Sequence, residues 1–277
     1  MSRSNLITRA LSGTVYLAAV LVALLTDKFV FAALMTVFIA MTMSEFYRMT
    51  LKGSYLAGRT LAIIFGVCIF WLFFFVRAFG LPVKYMAISI VFIIAIMAFS
   101  LAEKDKDSFR LYGLIYTGLV YIVPAMAMTN ILVFSEAGHF DGSILLSVMI
   151  IVWASDVGAY LIGMLLGKNG KKLCPGISPN KSWAGFWGGL VCALGAGAIV
   201  SATGLMPFPM IHAIIVSAII NVMGVLGDLF ESVWKRITGV KDSGHIIPGH
   251  GGFLDRLDST VFAIPSATVY LLLANLI

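Results

Sequence analysis

The sequence predicts an all-α, polytopic integral membrane protein with about nine transmembrane helices and a cytoplasmic N-terminus. Of its 277 residues, 60% are hydrophobic and only 12% are charged, and the mean hydropathy is +1.01. Soluble domains contain about 45 to 50% apolar and about 25% charged residues, so this composition is not that of an ordinary soluble protein. We therefore expect the whole chain to form a single membrane domain.

Nine apolar runs are candidates to cross a bilayer, since a transmembrane helix needs about 20 predominantly apolar residues. They cover approximately residues 7–26, 29–47, 60–77, 82–102, 111–134, 144–166, 183–204, 210–233 and 259–277. The second run is interrupted near Glu45. The first follows a short basic head, as in a signal peptide, but no clear small-residue cleavage site follows, so we interpret it as a retained helix.

Lysine and arginine predict the orientation, because they concentrate on the cytoplasmic side of membrane proteins. With the N-terminus inside, the outer segments hold only Lys28, Arg77 and Lys84 of the 19 basic residues. Two inner connections, residues 167–182 and 234–258, together hold eight of them. This asymmetry supports both the count of nine helices and the inside N-terminus.

The net charge of +6 limits the classes of partner. A basic chain is typical of proteins that bind nucleic acid, anionic lipid or an anionic substrate. We exclude nucleic acid, because no soluble basic surface is predicted. Cys68, Cys174 and Cys192 are too far apart for a local metal motif, so we interpret them as packing residues.

Acidic residues in apolar runs are candidates for chemistry, because a charge at a helix centre costs about 2.5 to 3.5 kcal/mol on insertion scales. Asp156, Asp228 and Glu231 are such residues. Asp228, Glu231 and Lys235 fall at i, i+3 and i+7, and therefore share one helix face. The same pattern is also consistent with an internal ion pair that serves only the fold.

A second acidic pair, Asp255 and Asp258, stands in HGGFLDRLDST at the entrance to the last apolar run. The preceding Gly251 and Gly252 provide flexible backbone for a tight entry into that helix. The dipole of a helix favours carboxylates at its start, which is a purely structural explanation of the pair. That explanation gives no reason for a third acid, Asp228, near the same membrane face.

Magnesium gives such a reason, because it is typically held by one or two carboxylates together with substrate phosphates. Asp228, Asp255 and Asp258 are therefore candidate metal ligands. The basic residues around them are candidates to bind phosphate oxygens: Lys235, Arg236, Lys241 and Arg256. This composition is typical of a phosphoryl or nucleotidyl transfer centre.

Other catalytic and metal motifs are not supported. His250 has no cysteine or second histidine at zinc-ligand spacing, so we interpret it as a polar loop residue or one that contacts phosphate. The segment GKNGKK does not match the Walker-type nucleotide loop. No G-x-S-x-G nucleophile motif is present.

The segment SVWKRITGVKDSGHIIPGHGGFLDRLD, from Ser232 to Asp258, resembles the signature of the phosphatidate cytidylyltransferases, also called CDP-diacylglycerol synthases. All of its fixed positions are filled: Ser232, Lys235, Arg236, Lys241, Asp242, Pro248, His250, Gly251, Gly252, Asp255, Arg256 and Asp258. Trp234 is a departure, since an aliphatic residue or Phe is usual there, but it remains apolar. The segments DVGAY (156–160), SPNKSWAG (178–185) and GDLFES (227–232) agree as well.

The resemblance, which covers about residues 153–258, implies the condensation of CTP with phosphatidic acid in phospholipid biosynthesis. The products would be CDP-diacylglycerol and pyrophosphate, and Mg²⁺ would be required. The single membrane domain, 1–277, then consists of N-terminal helices in 1–143 and catalytic helices with cytoplasmic loops in 144–277. The number of metal ions, one or two, and the oligomeric state, including a homo-oligomer, stay open.

We expect five residues to act in catalysis: Asp228, Asp255, Asp258, Lys235 and Arg236. The three aspartates among them are the predicted metal ligands. The predicted substrate-binding residues are Asp156, Ser178, Lys181, Lys241, His250 and Arg256, with Lys181 assigned to the triphosphate. Besides CTP and the lipid substrate, the predicted partner is the bilayer itself, as in a bacterial inner membrane protein whose active site faces the cytoplasm.

Two alternative functions compete with this one. A related membrane transferase that uses CTP, such as a polyprenol kinase, also handles a nucleotide and a lipid, but the filled signature argues against it. An ion-coupled transporter would explain acids in apolar runs. Against a transporter, the acids lie toward the cytoplasmic end, and no pair of Gly/Pro-broken segments recurs in two halves.

Overall fold

The computed structural model describes residues 3–52, 54–102, 106–168, 170–244, 246 and 251–277. Within these ranges the chain forms nine α-helices, two short strands and two 3₁₀ helices. The α-helices are α1 (Arg3–Leu25), α2 (Lys28–Leu51), α3 (Leu56–Phe79), α4 (Ile88–Ser100), α5 (Lys106–Val133), α6 (Ser143–Leu166), α7 (Trp183–Ala202), α8 (Met210–Thr238) and α9 (Asp258–Leu273). The strands are β1 (Lys172–Cys174) and β2 (Ser178–Ser182), and the 3₁₀ helices are Val83–Ala87 and Leu254–Arg256.

The all-α, polytopic membrane architecture is confirmed, because seven helical segments in the described ranges are long and apolar enough to cross a membrane. One of them, Val83–Ser100, joins a 3₁₀ helix to α4, and most of its residues are not buried within the protein, as expected for a segment that faces lipid. Two further apolar helices are Leu11–Leu25, the part of the 23-residue α1 whose side chains the structure describes, and Asp258–Leu273, which is α9. At 16 residues α9 is about 24 Å long, less than the hydrocarbon core. The count of nine spans therefore stays a prediction.

The described chain divides into two compact units, Met1–Phe140 with Thr238–Arg256, and Asp141–Ile237 with Leu257–Ile277. In the first unit, α2, α3 and α5 pack against one another around buried aromatic residues. Gly118 on α5 allows the ring of Tyr47 to lie against the helix, and the hydroxyl of Tyr47 donates to the carbonyl of Ile115 at 2.8 Å. The segment after α8 belongs to this unit and brings Phe253 against the ring of Phe38.

The second unit is organised around the close packing of α6 on α7. Small residues permit this approach, as is common between membrane helices. A Cβ atom at Gly158 would meet Cys192 and the carbonyl of Gly188, and one at Gly188 would meet Ile162. The helices α8 and α9 complete the unit, with α9 packing on α6.

A small antiparallel hairpin in the second unit was not predicted, since residues 167–182 were expected to form only a connection. Strand β1 pairs with β2 in the register Lys172 with Ser182 and Cys174 with Ser178. The turn between them closes with a hydrogen bond from Ile177 N to Cys174 O at 3.1 Å. Pro175 occupies the second position of this turn, where its fixed φ is favourable, and that was the available sequence signal.

Candidate active site

Three carboxylates of the second unit lie together. One oxygen from each of Asp228, Glu231 and Asp258 lies within 4.8 Å of the other two. Asp228 and Glu231 are one turn apart on α8, and Asp258 is the first residue of α9. The start of a helix favours a carboxylate electrostatically, so the position of Asp258 offsets part of the repulsion within the cluster.

Glycine residues on α8 allow this approach. A Cβ atom at Gly227 would collide with the carbonyl oxygen of Asp258 and would crowd the Cβ of Phe262. One turn earlier, a Cβ at Gly224 would just touch Ser259. The backbone of α8 therefore lies directly against the first turn of α9, which brings the two acidic positions together.

Two lysines pair with the carboxylate cluster. The Nζ atom of Lys181 lies 2.6 Å from Asp228 Oδ2, and the two side chains are 23% and 33% exposed. The Nζ atom of Lys235 lies 2.5 Å from Glu231 Oε2, with side-chain exposures of 15% and 0%. The site thus combines three acids and two bases in a partly buried position, where charge interactions are stronger than in bulk water.

The hairpin positions Lys181. Ser182, the last residue of β2, is the N-cap of α7, and its Oγ accepts a hydrogen bond from Gly185 N at 3.1 Å. This cap fixes the backbone next to Lys181, since an N-cap serine satisfies one of the unpaired amides of the first helical turn. A lysine on an anchored strand therefore loses less conformational freedom when it pairs with a residue of α8 than a lysine on an open loop would.

Serine residues extend the cluster toward Asp156. The Oγ of Ser259 donates to Asp156 Oδ1 at 3.3 Å, while the amide of the same serine donates to Asp258 Oδ1 at 2.6 Å. The Oγ of Ser232 lies 3.4 Å from Asp228 Oδ1. Asp156 was predicted to be a substrate contact, a further ligand or the partner of a neighbouring base. Ser259 donates to both Asp156 and Asp258 and so connects the two carboxylates.

Other predicted site residues lie at or near the hairpin. Arg236 is exposed, and its Nε donates to the carbonyl of Ile177 at 3.1 Å. Ser178 is the first residue of β2 and is half-buried. The second unit contains seven of the predicted site residues: Asp156, Ser178, Lys181, Asp228, Lys235, Arg236 and Asp258.

Asp255, Arg256 and Lys241 belong to the first unit. The Oδ2 atom of Asp255 accepts hydrogen bonds from Ser243 N at 2.9 Å, Ser243 Oγ at 3.0 Å and Gly252 N at 2.8 Å. Lys241 and Arg256 are exposed. The predicted role of His250 falls outside the described residues.

Glu231 was not among the predicted metal ligands, although its i, i+3 spacing from Asp228 was the available signal. Glu45 was predicted only to interrupt the second apolar run. Glu45 is 1% exposed, and its Oε2 accepts a hydrogen bond from Leu254 N at 2.8 Å. Its signal was a carboxylate inside an apolar helix.

The carboxylate cluster has the chemistry of a divalent cation site. All three groups offer hard oxygen ligands, which suit Mg²⁺ and Ca²⁺ better than soft metals. The adjacent Lys181 and Lys235 are suited to phosphate oxygens. The residues present therefore fit a metal ion together with an anionic substrate.

The apolar helices and this site define an integral membrane protein in which three carboxylates that could hold a metal ion lie beside two lysines. Comparison with known proteins gives a narrower class. The profile described as the cytidylyltransferase family matches residues 7–274. The chain belongs to the cytidylyltransferase family, and it is thus an enzyme of the nucleotidyltransferase type.

Named relatives agree with this membership. A phosphatidate cytidylyltransferase of Bacillus subtilis (strain 168) is 33% identical over 279 residues, which cover 98% of this chain and 97% of that protein. One of Staphylococcus saprophyticus is 37% identical over 182 residues, covering 64% of this chain and 65% of the relative. One of Staphylococcus aureus (strain COL) is 43% identical over 148 residues, covering 50% of this chain and 51% of the relative. The family resemblance of the signature segment is therefore confirmed.

Proposed function

We propose that this protein is a phosphatidate cytidylyltransferase that makes CDP-diacylglycerol and pyrophosphate from CTP and phosphatidic acid. The observation that carries the proposal is the cluster of Asp228, Glu231 and Asp258, paired with Lys181 and Lys235. The family membership and the names of the relatives support the choice of reaction. The product would serve phospholipid biosynthesis.

The reaction needs positioning and charge neutralisation more than a nucleophilic side chain. A phosphate oxygen of phosphatidic acid attacks the α-phosphorus of CTP, a new P–O bond forms, and the bond between the α-phosphorus and the bridging oxygen breaks. The electron pair leaves with pyrophosphate. Because the attacking phosphate is already ionised near neutral pH, no serine, cysteine or strong base is required. Two anions must nevertheless be brought together in line.

The lysines are suited to that task. Lys181 and Lys235 lie against carboxylates, so each ammonium is held near the position where phosphate oxygens would enter. We assign Lys181 to the triphosphate of CTP, and Lys235 with Arg236 to the phosphates that react. Ser178, next to the turn that Arg236 contacts, is assigned a hydrogen bond to the nucleotide. Asp156 is assigned to orient Ser259 and the start of α9.

The proposed metal is Mg²⁺, held by Asp228 and Asp258 together with Glu231. When bound, the ion would neutralise the triphosphate and polarise the phosphorus that is attacked. Asp255 stays a predicted ligand on the strength of the signature alone. Lys241, His250 and Arg256 likewise stay predicted substrate contacts, and the number of ions, one or two, is part of the same proposal.

The site is proposed to face the cytoplasm of a bacterial inner membrane. The two basic connections, 167–182 and 234–258, carry residues of the site, and basic segments concentrate on the cytoplasmic side. CTP is a soluble nucleotide of that compartment. A site at the ends of apolar helices also suits a substrate pair in which one member is anchored in lipid.

A label-transfer experiment tests the function. Purified protein in mixed micelles would be given phosphatidic acid, MgCl₂ and CTP labelled with ³²P at either the α or the γ position. We expect the α label in a lipid product and the γ label in pyrophosphate. A lipid labelled from the γ position would identify a kinase instead, and absence of labelled lipid from both would overturn the enzyme proposal and leave transport as the alternative.

A further inference from the structure

Glu45 is a buried carboxylate that the reaction described above does not use. It lies on α2, near the end of a membrane-spanning helix, and is 1% exposed. In the part of the chain that the structure describes, no lysine or arginine pairs with it, and its Oε1 has no hydrogen-bond partner. Burial of a carboxylate without a cation is costly, so its position requires an explanation.

The contacts of Glu45 lead to the signature segment. Its Oε2 accepts a hydrogen bond from Leu254 N at 2.8 Å and lies 3.3 Å from Ser243 Oγ, whose one proton is donated either to Glu45 or to Asp255. Ser243 and Leu254 stand on either side of the glycine-rich part of the signature. One carboxylate oxygen of a transmembrane helix therefore contacts two points of that segment, which lie 198 and 209 positions further along the chain.

Glycine residues make room for this carboxylate. A Cβ atom at Gly244 would overlap the side chain of Glu45, with Oε1 at 2.5 Å. A Cβ atom at Gly252 would lie 2.7 Å from Glu45 Oε2 and would also overlap Ser243. At Gly244 the side chain of Glu45 fills the space of a Cβ atom, whereas at Gly252 the closest atoms are those of Ser243 and Gly244, with Glu45 next. Glu45 is therefore closely packed against this segment.

Ser243 connects Glu45 to Asp255. Its hydroxyl lies 3.3 Å from Glu45 Oε2 and 3.0 Å from Asp255 Oδ2, and its amide donates to the same Asp255 oxygen. Gly252 N donates to Asp255 as well. Any shift of Ser243 or of the 252–254 backbone would therefore move the carboxylate of Asp255.

Aromatic contacts also hold the segment next to Leu254. The ring of Phe253 packs edge-on against the ring of Phe38, with a distance of 4.6 Å between the ring centroids. The ring centroid of Tyr16 lies 6.3 Å from that of Phe253. The segment is therefore held in the first unit by packing and by the Glu45 hydrogen bonds together.

We propose that Glu45 is a positioning residue for cytidylyl transfer: it holds Ser243 and Leu254, and thereby fixes the carboxylate of Asp255. Glu45 does not touch substrate in this proposal and acts only through the signature segment. The link to catalysis rests on the proposed function, whereas the positioning itself does not. The N-terminal helices thus acquire a specific task, which is to hold the segment that follows α8.

Three variants separate positioning from other roles. Glu45→Ala removes both acceptor contacts. We expect it to lower kcat by about tenfold to a hundredfold, as for a displaced reactive group. Glu45→Gln keeps an oxygen that can accept from Leu254 N, so we expect it to retain kcat within about fivefold, since only the charge assistance of the bond is lost. Asn130→Ala is the matched control, because Asn130 is equally buried in the same unit but donates to Phe70 O and Ala127 O instead.

The Asn130→Ala control distinguishes a positioning role of Glu45 from general destabilisation. Both alanine variants are expected to lower the thermal midpoint, but only Glu45→Ala is expected to lower kcat when each is assayed below its own midpoint. Equal loss of kcat in Asn130→Ala would show that any buried polar deletion has this effect and would overturn the proposal. If Glu45→Gln were as inactive as Glu45→Ala, the charge itself would be required, and a purely positioning role would be wrong.

A double-mutant cycle tests the path through Ser243. We expect Ser243→Ala and Glu45→Ala to combine non-additively, with the double variant no slower than the slower single variant, because both break one connected network. If the double variant instead lost kcat by the product of the two single losses, Glu45 would act by a route that does not include Ser243.

Amide hydrogen exchange provides a readout that is independent of activity. In Glu45→Ala, peptides that contain the amides of Ser243, Gly252 and Leu254 should exchange faster than in the wild type, whereas Asn130→Ala should leave them unchanged. Unchanged exchange at these amides in Glu45→Ala would overturn the positioning role. If the wild-type protein made no labelled lipid, the proposed function would be wrong. The exchange measurement would still test whether Glu45 positions the signature segment.

Discussion

Lys181 Nζ lies 2.6 Å from Asp228 Oδ2, so a strand of the small hairpin and the long helix α8 meet in one ion pair. The pair is neither fully exposed nor fully buried, and it stands beside the carboxylates of Glu231 and Asp258. An ammonium in this position can exchange a carboxylate partner for a phosphate oxygen without moving far. The pair therefore connects the basic hairpin to the acidic cluster on which the proposed reaction depends.

The first prediction concerns the triphosphate. Replacing Lys181 with alanine should raise the KM for CTP by about tenfold to a hundredfold, because hydrogen bonds to charged groups contribute about 1.5 to 3 kcal/mol. The KM for phosphatidic acid should change by much less. Initial rates with each substrate varied in turn measure both KM values.

Lys171→Ala, which alters an exposed lysine of the same segment, is the control and should leave both KM values near those of the wild type. An unchanged KM for CTP in Lys181→Ala would remove Lys181 from the nucleotide site.

The second prediction concerns the carboxylate at the start of α9. Asp258→Asn keeps the oxygen that accepts from Ser259 N but removes the charge, so folding should persist while product formation falls below detection. Asp141→Asn is a matched control, because Asp141 Oδ1 accepts from Ser143 N at the start of α6 in a similar way. Labelled lipid formation and the thermal midpoint are measured for both. Full activity in Asp258→Asn would exclude this aspartate as a metal ligand.

The third prediction separates two roles of Glu231. If it holds a metal ion, Glu231→Gln should raise the Mg²⁺ concentration needed for half-maximal rate. If it serves only as the partner of Lys235, the Mg²⁺ dependence should be that of the wild type. We expect the first outcome, because its oxygen lies with those of Asp228 and Asp258.

The stability of the same variant is a separate measurement. Removing one partner of a fully buried ion pair costs about 3 to 5 kcal/mol, and less is expected here because Lys235 is 15% exposed. The double variant Glu231→Gln with Lys235→Met should recover part of the loss in thermal midpoint, since the Lys235 ammonium is then no longer left without its Glu231 partner. A double variant less stable than Glu231→Gln would contradict the pairing.

The fourth prediction concerns the approach of α8 to α9. Gly227→Ala would place a Cβ against the carbonyl of Asp258, and such overpacking typically costs about 1 to 3 kcal/mol. Activity should fall with stability, because Asp258 is displaced from Asp228. Gly195→Ala on α7 meets no atom within 4 Å and should be neutral in both assays. Wild-type activity in Gly227→Ala would show that the site tolerates a wider separation of the two helices.

The fifth prediction concerns orientation. In a variant without native cysteines, Lys84→Cys should react with a membrane-impermeant maleimide on intact spheroplasts, whereas Lys171→Cys should react only after permeabilisation. The reason is that basic residues mark the inner segments and Lys84 lies in a predicted outer one. The reverse labelling pattern would place the hairpin, and with it Lys181, outside the cytoplasm.

Particular residues show where sequence patterns suffice and where they do not. The i, i+3 spacing predicted that Asp228 and Glu231 share a face of α8, because helical periodicity is a local property. It could not predict that this face meets the start of α9, and Glu231 was therefore not predicted as a ligand. The contact between Glu45 and Leu254 joins residues that are 209 positions apart, and no local pattern contains it.

The sequence by itself determined that the chain is a helical membrane protein with a basic, acid-containing signature, because apolar runs and the order of charged residues are properties of composition and spacing. The tertiary structure alone decided which oxygens converge. It brought Glu231 to Asp228 and Asp258, placed Lys181 on an anchored strand, and joined Glu45 to the signature segment. Convergence depends on how closely segments that are distant in sequence approach, and at Gly227 and Gly244 the absence of a Cβ atom leaves room for Asp258 and for Glu45.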